Sequence, residues 1–135
     1  MNIKRFFIAV LAILVAVVAT NIIIHSFILM DTYVSLKQIW RPDMMNLMWI
    51  MYVTDLALAF LFVYIFTKGY ENKGILEGIR YGLLMGLLLD GLGTFGQYMV
   101  YPIPLSLAVQ WFVYGMIRFV ILGIIVALIY RPKTA

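Results

Sequence analysis

Four apolar runs, at residues 6–30, 44–67, 76–100 and 107–130, take up most of this 135-residue chain. Each is long enough to cross a hydrocarbon core, which needs about 20 residues of helix. Inside such a core the backbone has no water to bond, so each run must satisfy its own N–H and C=O groups as a helix. The chain is 65% hydrophobic and 12% charged, against roughly 45–50% and 25% in soluble domains. The expected fold is therefore all-α: a polytopic transmembrane four-helix bundle, up-down-up-down, forming one integral membrane domain over residues 1–135.

Charge sets the expected orientation. One side would carry both termini and the second loop, with Lys4, Arg5, Lys68, Lys73, Arg80, Arg131 and Lys133; the other has only Lys37 and Arg41. By the positive-inside rule both termini lie in the cytoplasm, as in a multi-pass protein of a bacterial-type inner membrane. Lys4-Arg5 ahead of an apolar stretch resembles a signal peptide, and Val17-Val18-Ala19 would pass as its cleavage site. The apolar run continues to Met30, however, which is too long for an h-region, and predicts a retained spanning helix. Trp40 and Trp49 bracket the start of the second span as interfacial anchors do. Arg41-Pro42 limits helix there, and Tyr101-Pro102-Ile103-Pro104 forms an uncharged corner between the last two runs.

Polar residues interrupt the runs at comparable depths. At about 1.5 Å of rise per residue from the cytoplasmic ends, Asp55 and Arg118 lie roughly 18 Å up, Asp90 roughly 21 Å and Asn21 roughly 22 Å. Four residues on four helices thus define one buried polar layer. Arg118 keeps its charge, so it is expected to pair with Asp55 or Asp90, with Asp90 the preferred partner. The second carboxylate is then either protonated or serves a proton or cation. His25 stands one turn above Asn21, and Gln97 and Gln110 reach an outer level roughly 30 Å up. Gln110, Tyr114 and Arg118 are spaced by four, so His25, Gln97, Gln110 and Tyr114 are expected to form an outer vestibule. The bland alternative is that such groups only fix helix register.

Glycines recur at Gly74, Gly78, Gly82 and Gly86, and the next position in that series is Asp90. A spacing of four keeps them near one helix face. Small residues so placed let helices approach closely, which makes this stripe the expected helix-packing interface. Its partner is a helix of the same chain, a second copy, or another membrane subunit. Glu77 and Arg80, three apart, are expected to form a local ion pair worth little.

Much chemistry is excluded. The chain has no cysteine, hence no thiol catalysis or Fe–S ligation, and no Ser-His-Asp set, phosphate loop or His-x-x-x-His. A lone histidine cannot supply both axial ligands of a haem. No cofactor, no enzymatic activity and no nucleic-acid partner are expected; the basic balance reads as membrane orientation. Met44, Met45, Met48 and Met51 cluster near one end of the second run. Met44 and Met48 resemble the Met-xxx-Met pair of three-helix copper importers, so Met44, Met48 and His25 form a possible Cu(I) set; thioethers also serve simple packing.

Ile24-His25-Ser26, the glycine-spaced third run and the Tyr101-Pro102-Ile103-Pro104 corner together resemble uncharacterised small four-helix bacterial membrane proteins. That resemblance covers most of the chain and implies no function. The residues themselves leave two main classes. Small size and the lack of a soluble domain point to a non-catalytic subunit or homo-oligomeric packing partner in a membrane assembly. The alternative is proton or small-ion translocation through the Asp55, Asp90 and Arg118 layer, with His25 as a gate. A copper or redox role stands third.

Overall fold

A computed structural model describes residues 1–131, and within them every regular element is helical. Lys133 lies outside the described residues. The chain runs through α1 (Ile3–Asn21) into a π-helical stretch (Ile22–Ile28), a short α2 (Met30–Ser35), a 3-10 turn and α3 (Met48–Lys68). It continues with α4 (Ile75–Gly86), a second π-helical stretch (Leu87–Gly91), α5 (Leu92–Val100) and α6 (Leu105–Ile129).

Three helices are long and apolar enough to cross a membrane: Ile3–Ile28, Met44–Lys68 and Leu105–Ile129, with mean hydropathies of 2.9, 2.0 and 2.5. This marks a membrane protein. The run at 76–100 is helical too, but it does not join them. It carries Glu77, Arg80, Asp90, Thr94 and Gln97 among its glycines, which dilute its apolar content. Outward faces are oily throughout: Phe7, Leu11 and Val15 on α1, Leu56, Phe60 and Leu61 on α3, and Val109, Val113 and Ile117 on α6 are all exposed.

Two apolar cores lie along the molecule. The larger joins Phe6, Ile13 and Val17 of α1, Phe62, Val63 and Phe66 of α3, and Phe119, Leu122 and Val126 of α6. Tyr81 of α4 packs against it, and its hydroxyl donates to the Phe62 carbonyl at 2.6 Å. The smaller core gathers Ile24, Leu29, Ile103, Leu107 and Ala108 under Tyr33, Trp40 and Trp111. Ile103 reaches it because the Tyr101–Pro104 corner folds inward; Pro104 then stands at the N-cap of α6, where its missing N–H costs nothing. Beyond the larger core the chain ends meet. Asn2 N donates to Tyr130 Oη at 3.4 Å, Arg5 Nη1 bonds the Arg131 carbonyl, and Tyr130 packs edge-on to Tyr70.

The glycine stripe is consumed inside the chain. A Cβ on Gly78 would overlap the Gly123 carbonyl oxygen, one on Gly82 the Phe119 carbonyl, and one on Gly86 would sit 3.0 Å from Phe119 Cβ. Gly123 returns the contact, since its own Cβ would overlap the Gly78 carbonyl. α4 and α6 therefore touch backbone to backbone, the close approach that small residues permit. Gly74 does not share this face. It precedes α4 with φ 68, a Cβ there would meet nothing, and its role is conformational: together with Asn72 at φ 60 it turns the loop in a region glycine enters without steric cost. The Glu77–Arg80 pair is also replaced. Both Glu77 carboxylate oxygens accept backbone N–H bonds, from Glu71 at 2.7 Å and Lys73 at 2.8 Å, because a glutamate three residues past the N-cap reaches back over the helix start to the loop that precedes it.

Gly82→Leu should therefore destabilise the folded chain itself by more than the roughly 1–3 kcal/mol typical of overpacking. Gly96→Ala, at a position where a Cβ meets nothing, should be near neutral. Thermal unfolding followed by size exclusion in mild detergent separates the two; equal melting temperatures would contradict the α4–α6 contact.

Candidate functional site

Between the two apolar cores the helices exchange polar groups. Arg118 sits at mid-length of α6 with its side chain 13% exposed. Its Nη2 donates to Asp90 Oδ2 at 3.0 Å, and its Nη1 to Asn21 Oδ1 at 2.7 Å. The Asn21 amide then donates to both Asp55 oxygens, at 3.2 and 3.3 Å. One hydrogen-bonded chain, Asp90–Arg118–Asn21–Asp55, thus crosses four helical segments. The order follows from chemistry: Arg offers only donors, Asn both donors and acceptors, and carboxylates only acceptors when ionised.

The two acids are not equivalent. Asp90 holds the ion pair. Asp55 is buried at 7% exposure, takes only an amide, and enters no ion pair among the described residues. Arg118 is also left incomplete, because its Nε is buried without a partner.

Local backbone shapes the site. Asn21 closes α1 where the helix widens into a π-helical stretch containing His25, and Asp90 lies in the second π-helical stretch. Such π segments are uncommon and frequent at functional sites. Opposite Asp90, α6 carries Gly115. A Cβ there would overlap Asp90 Oδ2 and come within 2.8 Å of Asp90 Cβ, so a glycine is needed for the carboxylate to reach Arg118.

Above the ion pair lies a partly open cavity of about 220 Å³. Arg118, Gly115, Tyr114 and Trp111 of α6 form one wall. Asp90, Thr94 and Gln97 form another, and Ile24 and His25 the third. His25, Gln97 and Tyr114 therefore converge as the vestibule requires. Gln110 does not: it is exposed and absent from the lining. Steps of four residues drift by about 40° each on a 3.6-residue helix, so Gln110 is turned roughly 80° from Arg118. Trp111, seven before Arg118, returns almost to the same face and takes the place given to Gln110. That spacing of seven was readable in the sequence, as was the Asp90, Thr94, Gln97 series at four and seven.

Tyr33, which no spacing pointed to, fixes the rim. Its hydroxyl oxygen lies 2.7 Å from Trp111 Nε1 and 2.6 Å from His25 Nδ1. The indole can only donate, so it bonds the phenol oxygen, leaving the phenol proton for His25 Nδ1. Burial pushes the Tyr33 hydroxyl above its ordinary range, which keeps that proton in place. Trp40 Nε1 donates to the Tyr33 carbonyl at 3.0 Å, tying α2 down. Of the proposed copper ligands, Met44 is exposed, Met48 is half-buried and His25 is engaged by Tyr33. No group of three or more His, Cys, Asp or Glu side chains among the described residues is placed to hold a metal.

The unequal acids give a prediction on stability. Arg118→Gln strands Asp90 and should cost roughly 3–5 kcal/mol, as breaking a buried pair does. Asp55→Asn keeps a bonding partner for Asn21 and should change stability by no more than about 1 kcal/mol. Melting temperatures in one detergent test this order; an Asp55→Asn protein less stable than Arg118→Gln would overturn it.

No protein-family model, curated protein or solved structure matches the chain.

Proposed function

We propose that this is a four-span membrane protein that takes up and passes on a proton or small cation, with Asp55 as the carrying group. The observation behind this reading is the buried Asp55 carboxylate, bonded to an amide and, among the described residues, to no cation. Ionisable residues at membrane depth are costly and default to ion or proton pathways. Asp55 is linked through Asn21 and Arg118 to Asp90, and Asp90 lines the cavity. The chain of bonds therefore connects the unpaired acid to a space that a solute can enter.

In this reading the run at 76–100 is the fourth span, and the order is up-down-up-down. Its neighbours on α6 shield its polar face, and Leu84, Leu88 and Leu92 present its oily one. Lys4, Arg5, Lys68, Lys73, Arg80 and Arg131 belong to the end where the chain termini and the second loop meet. That end is placed in the cytoplasm of a bacterial-type inner membrane, and the cavity then faces outward. A packing-subunit role has less support. Gly78, Gly82 and Gly86, the face it would use, are covered by α6 of the same chain.

Reconstitution in liposomes with a trapped pH dye tests the reading. An imposed gradient should drive proton or cation uptake, and Asp55→Asn should reduce it at least tenfold while elution volume and helicity stay the same. Wild-type protein that moves neither protons nor cations, or Asp55→Asn that moves them equally well, would overturn it.

A further inference from the structure

The cavity has a chemistry of its own beyond the movement of a proton. Its floor is an ion pair, Arg118 with Asp90, and both partners line the space. A bare anion entering it would meet the Asp90 carboxylate, and a bare cation would meet the Arg118 guanidinium; each would lose hydration for half of a pair. A molecule that carries both charges meets both partners. Arg118 has donors to spare. Of the five N–H groups of a guanidinium, Nη1 and Nη2 carry four, and the described bonds run from Nη1 to Asn21 alone and from Nη2 to the Asp90 carboxylate alone. Each of these two nitrogens therefore keeps donor capacity beyond its described bond, on a side chain that lines the cavity.

The other walls extend the same pattern. His25 adds an imidazole ring, and Thr94 and Gln97 add a hydroxyl and an amide. Ile24 and Trp111 supply an apolar side. The volume of about 220 Å³ is less than the roughly 300–1,000 Å³ of drug-sized pockets and equals about seven waters at about 30 Å³ each.

From this convergence we infer that the cavity binds a small zwitterion, an ammonium carboxylate of amino-acid size. Its carboxylate bonds the unused Arg118 donors, its ammonium bonds Asp90, and its apolar part lies against Trp111 and Ile24. This rests on the reading of the polar layer as a working site, and it makes the zwitterion a candidate cargo coupled to the proton at Asp55.

Equilibrium binding to the purified full chain in mild detergent tests the inference without any flux. Leucine and alanine serve as zwitterions, acetate and ethylammonium as single charges, and glycerol as an uncharged control, each titrated by calorimetry. At least one zwitterion should bind ten times or more tighter than either single charge and than glycerol. No binding by either zwitterion, or acetate binding as tightly as the better one, would overturn the inference. Gln97→Trp fills the cavity from an exposed position on α5 without touching the Asp90–Arg118–Asn21–Asp55 chain. It should weaken zwitterion binding at least tenfold with elution and melting temperature unchanged; unaltered binding would place the ligand elsewhere and defeat the assignment. Binding without proton or cation flux would uphold this site and defeat the proposed translocation, whereas flux without binding would do the reverse.

Discussion

Arg118 is a permanent cation placed halfway along one of the most apolar helices of the chain, and much of the architecture follows from accommodating it. A guanidinium cannot shed its charge, so an anion has to come to it. Asp90 arrives from the α4–α5 rod, and that approach needs three local concessions. Gly115 removes the Cβ that would overlap the carboxylate. Gly78 and Gly82 let α4 lie against the backbone of α6. The π turn at Leu87–Gly91 rephases the helix around the acid. Asn21 completes the far side from α1. Packing and charge are thus one problem, solved along a single helix pair.

The polar layer also divides the molecule. On one side Phe62, Val63, Phe119 and Leu122 close the interior, each 1% exposed or less; on the other the cavity opens. With that side closed by buried side chains among the described residues, the proposed transfer of a proton or ion requires the helices to move. Both π-helical stretches border the layer, and α2 is tied down chiefly by Tyr33 through His25 and Trp111 and by Trp40. Loss of one such bond costs about a kilocalorie, and Tyr33, Leu36, Ile39 and Trp40 also pack this segment against the smaller core.

Membrane class, helix content and the meeting of Asn21, Asp55, Asp90 and Arg118 were legible because they depend on long apolar runs and on a rise per residue that context hardly alters. The Arg118–Asp90 pair was legible for a similar reason, since few acids lie at that depth. What escaped the sequence was phase. Gln110 was placed by counting fours, and the drift of a real helix turned it outward while Trp111 turned in. Gly74 fitted the stripe in number but falls before the helix begins. Glu77 met loop amides that a pairwise count of charges does not show. Tyr33 comes from a short segment between spans, and only the tertiary fold brings it to His25. The run at 76–100 was read as equal to the others, although the features that build the site dilute its apolar character.

Asp55 is the residue that packing does not explain. The Asn21 amide would bond an asparagine carbonyl at position 55 as well as it bonds a carboxylate, and an uncharged group would avoid the penalty of burying a charge. Register between α1 and α3 is already set by Phe6, Ile13 and Val17 against Phe62, Val63 and Phe66. A second carboxylate within reach of the Arg118 field but outside its bonds adds one property that an amide lacks, which is the ability to gain and lose a proton. Joined to the cavity through Asn21, Arg118 and Asp90, that property has somewhere to act. This is why the proposed carrier is Asp55 and the proposed receptor is the ion pair beside it.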